Sequence, residues 1–84
     1  MDKHVKVSML WQIYGKLLTK KQYNVLNDYY NNDLSLSEIA ENNKISRQGV
    51  RDILMKGEGK IFEYEEKLGI MKKTKLQEEQ IQLI

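Results

Sequence analysis

Arg47, Gln48 and Arg51 stand within five residues of one another, directly after Ser46, and no other cluster in this 84-residue chain is better suited to directional recognition. An arginine presents a rigid fork of N–H donors that fits the O6 and N7 edge of guanine or two oxygens of a phosphate. Glutamine carries the donor and acceptor pair that matches adenine. Ser46 is a strong helix N-cap, so Arg47, Gln48 and Arg51 would project outward from the first turns of the helix it starts. Those turns are the part of a recognition helix that meets base edges in a major groove. Lys44, just before the cap, and Lys56, further along, are candidates for phosphate. Gly49 adds nothing to such a surface and Asp52 would repel phosphate, so the pattern defines a binding class and no target sequence.

Catalysis finds no comparable constellation. A nucleophile needs a partnered base and a pocket, and the single histidine, His4, lies at a terminus expected to fray. Cysteine is absent, so thiolate ligands and disulfides are excluded, and a metal would depend on carboxylates alone. Glu63, Glu65 and Glu66 read instead as a solvated helix face. The run Gly57, Glu58, Gly59, Lys60 lacks the spacing of a phosphate-binding loop and follows no strand. The expectation is a protein that is not an enzyme and takes no metal, cofactor or small-molecule substrate.

Charge alone does not announce a nucleic-acid partner, because the net charge is +2 and its distribution is nearly even. Residues 36–56 carry four Lys or Arg against three acids, so a basic surface must arise from geometry. Binding by so few cations would be modest and steeply dependent on salt.

The elements that position these residues are read from periodicity and caps, since proline is absent and glycines are few. Five helices are expected. The first spans about Val5 to Leu17, with Val7, Leu10, Trp11, Tyr14 and Leu18 on its inner side. Thr19 and Gln22 form a capping box that starts the second at Lys20, and this helix buries Tyr23, Leu26, Tyr29 and Tyr30. Ser35 and Glu38 repeat the box for a short third helix, ended by the left-handed tolerance of Asn42 and Asn43. Ser46 starts the fourth, which is expected to continue, with a bend, through Gly57 and Gly59 to a stop at Gly69, carrying Ile61, Tyr64, Leu68 and Met71 on one side. A last amphipathic helix would hold Leu76, Gln80, Leu83 and Ile84. The aromatic residues fall at helical spacing and read as core or interface, not as a base-stacking surface.

Residues 36–55 fit a helix-turn-helix, in which a small residue lets two helices cross closely. Ala40 is that residue, with Leu36, Ile39, Ile45, Val50, Ile53 and Leu54 as the core of the motif. One position departs from the template: the turn site usually occupied by glycine is Lys44, where a positive φ would cost about 1 kcal/mol, unless Asn43 takes it instead. The fold class is therefore all-α, a helix-turn-helix bundle in a single domain of residues 1–84, with residues 57–84 as a helical extension. So small a domain gains from self-association, and Leu68, Met71 and Leu76 are the candidate contacts of a homodimer. No uninterrupted apolar run marks a signal or a membrane span, and with no cysteine the chain suits a reducing cytoplasm. Lysine outnumbers arginine twelve to two, which fits a bacterial genome rich in A and T.

The chain resembles the YlxM family, helix-turn-helix proteins encoded beside signal recognition particle genes in many bacteria. Tyr14 to Gln22 (YGKLLTKKQ) is similar to its N-terminal motif. Tyr29 and Tyr30 with Asp33 to Ala40, then Ile45 to Val50 (ISRQGV) and Glu63 to Gly69 (EYEEKLG), resemble its remaining blocks in order, together covering about residues 10–70. The resemblance implies a fold like region 4 of sigma factors, a DNA-binding or regulatory role, and participation in the signal recognition particle pathway. It also opens an alternative in which the partner is that particle's RNA or its GTPase component, and a further one in which the chain is a dimeric scaffold. Lys44 in place of the usual glycine, the entry of Gly57 and Gly59 into a segment normally rich in helix formers, and a short tail depart from the family pattern.

Overall fold

A computed structural model of the protein describes residues 2–72. Helix α1 spans Lys3–Tyr14 and runs into a 3-10 turn, Gly15–Leu17; α2 spans Lys20–Tyr30, α3 Leu36–Asn43 and α4 Arg47–Leu68. Residues 70–72 are helical. No strand occurs among the described residues, and the all-α helix-turn-helix class expected from the sequence is the one observed.

Each helix starts where a side chain can satisfy backbone N–H groups that have no partner within the helix. Asp2 caps α1, accepting from the Val5 amide. Thr19 with Gln22 and Ser35 with Glu38 both form complete capping boxes, at the positions their spacing indicates. Ser46 Oγ accepts from the Gly49 amide at 2.9 Å and starts α4.

The core is built from one face of each helix. Val7, Leu10 and Tyr14 of α1 meet Val25, Leu26 and Tyr30 of α2, Ile39 and Ala40 of α3, and Val50, Leu54 and Ile61 of α4, with Leu18 closing the α1–α2 corner. Val25 is fully buried, although the spacing argument did not single it out. Trp11 lies at the edge of this core, stacked on Tyr23 with ring centroids 4.6 Å apart, and its indole N–H donates to the Tyr23 carbonyl. Gly15 makes the stack fit, since a Cβ there would stand 2.9 Å from the Tyr23 ring.

Helix α4 passes through Gly57 and Gly59 without interruption. The two have different reasons to be there. A Cβ on Gly57 would come within 2.7 Å of Leu26 Cδ1, so this glycine lets α2 and α4 approach closely, whereas a Cβ on Gly59 would meet nothing within 4 Å. At its far end α4 stops on Gly69, in the left-handed conformation with φ 62°.

Three expectations are corrected here. The left-handed residue between α3 and α4 is Lys44 itself, with φ 56°, while Asn43 stays helical and donates its side-chain amide to the Ile39 carbonyl. Glu65 is not a solvated carboxylate: it accepts from the Tyr14 hydroxyl at 2.8 Å and from the Met71 amide at 3.0 Å. His4 is not free either, because its Nε2 lies 2.9 Å from the Tyr30 carbonyl oxygen and its ring packs on Tyr29 and Tyr30. The last amphipathic helix, with Leu76, Gln80, Leu83 and Ile84, lies outside the described residues.

Candidate nucleic-acid interface

The turn between α3 and α4 dictates how the proposed binding residues are presented. The Ile45 amide donates back to the Ala40 carbonyl at 3.1 Å, and the Lys44 amide turns toward the carbonyls of Ala40 and Glu41. This is a Schellman closure: the residue after the left-handed position bonds back across the last turn, and its apolar side chain covers the helix end. Ile45 is half-buried against the core beside the buried Ala40. Position 40 thus serves the turn twice: its backbone carbonyl takes the bond from Ile45, and its small side chain, buried in the core, lets α4 seat closely. Ile39, Val50 and Leu54 are buried, and Leu36 and Ile53 pack partly buried around them.

With its inner face so occupied, α4 turns the other outward. Lys44, Ser46, Arg47, Gln48, Arg51 and Lys56 are all exposed. Leu36, Arg47, Gln48 and Arg51 line a shallow recess of about 240 Å³ where α3 meets the start of α4. Lys44 sits at the turn just before it. Lys56 does not join this group: nine residues on from Arg47, helical rotation carries it roughly 180° around, to the opposite edge of the exposed surface.

The electrostatics differ from residue to residue. The ion pairs among the described residues are Lys3 with Glu58 and Lys67 with Glu63, and His4 Nε2 lies 3.9 Å from Asp33 Oδ1. None of them uses Lys44, Arg47, Arg51 or Lys56, so among the described residues these four cations have no carboxylate to exchange before they meet a polyanion. Gln48 is already engaged, its side-chain amide donating to Asp52 Oδ1 at 3.0 Å. That bond fixes the orientation of the Gln48 amide and places a negative charge beside it.

Arg51 also borders a second recess, of about 200 Å³, shared with Lys3, Tyr29, Tyr30, Leu36, Leu54, Met55 and Glu58. Its outer rim includes Met55, which is 65% exposed. Sequence spacing could not find Lys3, Tyr29 and Tyr30 as neighbours of Arg51, because they come from α1 and α2 and the contacts are long-range, whereas Glu58 lies two turns further along α4 itself. The Tyr30 hydroxyl donates to Glu58 Oε1, and Lys3 Nζ lies 3.8 Å from the other oxygen. Burial, reinforced by the adjacent Glu58 carboxylate, pushes the Tyr30 hydroxyl well above its ordinary pKa. Glu58 is thereby held between the Tyr30 hydroxyl and the Lys3 ammonium.

The candidate dimer contacts are placed differently from one another. Leu68 is exposed, Met71 packs against the core, and Leu76 is outside the described residues. No group of three His, Cys, Asp or Glu that could hold a metal occurs among the described residues, and no helix among them is long and apolar enough to cross a membrane.

A short helix capped into a Schellman turn, followed by a long helix whose first turns point cationic side chains outward, defines a helix-turn-helix protein. The chain belongs to the family described as "Putative helix-turn-helix protein, YlxM / p13 like", whose pattern matches residues 1–84. It is 49% identical to a UPF0122 protein of Clostridium kluyveri over 79 residues, which are 94% of this chain and 71% of that one. A UPF0122 protein of Clostridium perfringens is likewise 49% identical, over 88% of this chain and 66% of its own length. One from Fusobacterium nucleatum is 46% identical over 81% of this chain and 66% of its own.

Proposed function

We propose that the protein is a non-catalytic, cytoplasmic regulator that binds duplex DNA as a homodimer, inserting the N-terminal turns of α4 into the major groove. The observation that carries this reading is the pair Arg47 and Arg51, exposed, free of carboxylate partners among the described residues, and one helical turn apart beside the α3–α4 turn. Arg47 and Arg51 pair with guanine edges or hold phosphate, and Lys44 holds phosphate from the turn. Gln48 reads adenine only by giving up Asp52, so it contributes selectivity more than affinity. Lys56, on the opposite edge, touches the far wall of the groove. Two copies double a footprint that is weak in one.

The test is fluorescence anisotropy on genomic duplex fragments at several salt concentrations. Arg47→Ala with Arg51→Ala should weaken binding by at least tenfold and flatten the slope of log affinity against log salt by about 2, at roughly 0.9 per lost phosphate contact. Helicity by circular dichroism should be unchanged. Unaltered affinity and slope would reject the reading. The family resemblance brings in the signal recognition particle, so its RNA and its GTPase component serve as competitors. If either displaces DNA at physiological salt, the same surface belongs to that particle and the promoter reading fails.

A further inference from the structure

Helix α1 is apolar on two sides, and among the described residues only one of them is packed into the core. Val7, Leu10 and Tyr14 point into the core. On the other side Val5, Met9 and Ile13 recur every fourth residue, at 45%, 40% and 37% exposure, and Leu17 extends the row at 53%. A helix with apolar residues all round belongs in an interior, and a continuous exposed row of this kind marks a contact surface. The carboxyl-terminal part of the described chain offers only Leu68 and Ile70 as exposed large apolar residues.

The charges at the two ends of the row identify what covers it. Asp2 lies seven residues before Met9 and Lys16 seven residues after it, both exposed and neither in an ion pair among the described residues. Val5 and Ile13 are likewise placed equally before and after Met9. The row is thus self-complementary when reversed: laid antiparallel on itself about Met9, it sets Val5 on Ile13, Met9 on Met9, and Asp2 against Lys16 in both halves. A parallel arrangement would place like charge on like. We infer that the outer face of α1 is the surface that joins two copies of this chain, antiparallel and with the two-fold axis at Met9. This rests on the reading of the protein as a homodimer and assigns the interface.

The contact is small. Helix α1 is about 18 Å long, short of what is needed for the roughly 800 Å² per partner of a stable interface. Association is therefore concentration-dependent in the micromolar range, and a two-site DNA would tighten it.

The experiment uses the full chain without nucleic acid. Sedimentation velocity from about 5 to 500 µM should show a monomer–dimer equilibrium, weakened at least tenfold by Met9→Lys, with helicity unchanged. Because the chain has no cysteine, single-cysteine variants then report the geometry. Met9→Cys should oxidise to a disulfide with its own kind. Val5→Cys and Ile13→Cys should cross-link with each other in a mixture but not each with itself, since like positions lie about 12 Å apart along the axis, beyond disulfide reach. Arg47→Ala with Arg51→Ala should dimerise normally, which separates failure of this inference from failure of DNA binding. A monomer at every concentration, or self-cross-linking of Val5→Cys, would overturn it. So would a monomer whose melting temperature falls with Met9→Lys, which would assign the row to the chain's own residues 73–84.

Discussion

The hydroxyl of Tyr14, on α1, donates to Glu65 Oε1, on α4, at 2.8 Å and accepts from the Ile70 amide at 3.1 Å. Glu65 in turn accepts from the Met71 amide. One buried phenol thus ties the first helix to the last turns of α4 and to the start of the stretch beyond Gly69.

Alkaline pH should expose this tie. Burial is the main cause that raises the Tyr14 pKa, with Glu65 adding to it, and burial likewise raises that of Tyr30, beside Glu58. A folded state that holds its phenolic protons more tightly than the unfolded chain keeps their full contribution below the ordinary tyrosine value of 10.0, and loses it as pH rises beyond. Melting temperature should therefore hold to about pH 10 and then fall, and the fall should be shallower in Tyr30→Phe. At pH 7, Tyr14→Phe should cost about 1–2 kcal/mol, because two hydrogen bonds are lost, one of them to a carboxylate.

Gly57 and Gly59, both inside α4, should respond to alanine with opposite signs. Gly59→Ala adds a methyl to open space and relieves glycine's helix penalty, raising stability by about 0.5–1 kcal/mol. Gly57→Ala gains the same propensity but drives a methyl into the buried Leu26, and overpacking of about 1–3 kcal/mol outweighs it. Urea denaturation of both variants measures the difference.

Lys44→Gly should stabilise the fold by about 1 kcal/mol, since glycine adopts the left-handed conformation without the penalty that lysine bears. The same change should weaken DNA binding and flatten its salt dependence by about 1, the loss of one phosphate contact. Thermal melts and anisotropy on the same sample would show the two effects moving in opposite directions. A variant that is more stable and binds as tightly as before would remove Lys44 from the interface.

Asp52→Asn should leave Gln48 its acceptor while deleting a charge that opposes phosphate. Affinity for duplex DNA should rise about two- to fivefold at low ionic strength and converge with that of the parent at high salt. An unchanged affinity across the salt series would place Asp52 away from the phosphate backbone.

Local rules carried much of this fold into the sequence. Thr19 with Gln22, Ser35 with Glu38, and Ser46 are contacts between residues three apart, so their spacing alone places the starts of α2, α3 and α4. The inner stripe of α1 was legible for the same reason. Long-range relationships were not. Nothing near Glu65 in the chain indicates that Tyr14 will reach it from 51 residues away, and nothing near Arg51 announces Lys3. At Lys44 the local rule pointed to Asn43 as the better left-handed residue, but the bond from Ile45 to Ala40 sets the register of the turn, and position 44 must take the strain. The outer row of α1 was in plain view, yet the spacing that selects Val7, Leu10 and Tyr14 for the core does not say whether Val5, Met9 and Ile13 meet solvent or another surface.

Helix α4 runs unbroken for 22 residues, about 33 Å, from the arginines at its start to Glu65 near its end. Because the helix continues through Gly57 and Gly59, a displacement of the Glu65 end is passed along its axis toward the Arg47 end. On the proposed DNA-binding reading, a partner near Gly69 would act on recognition through the orientation of this one helix.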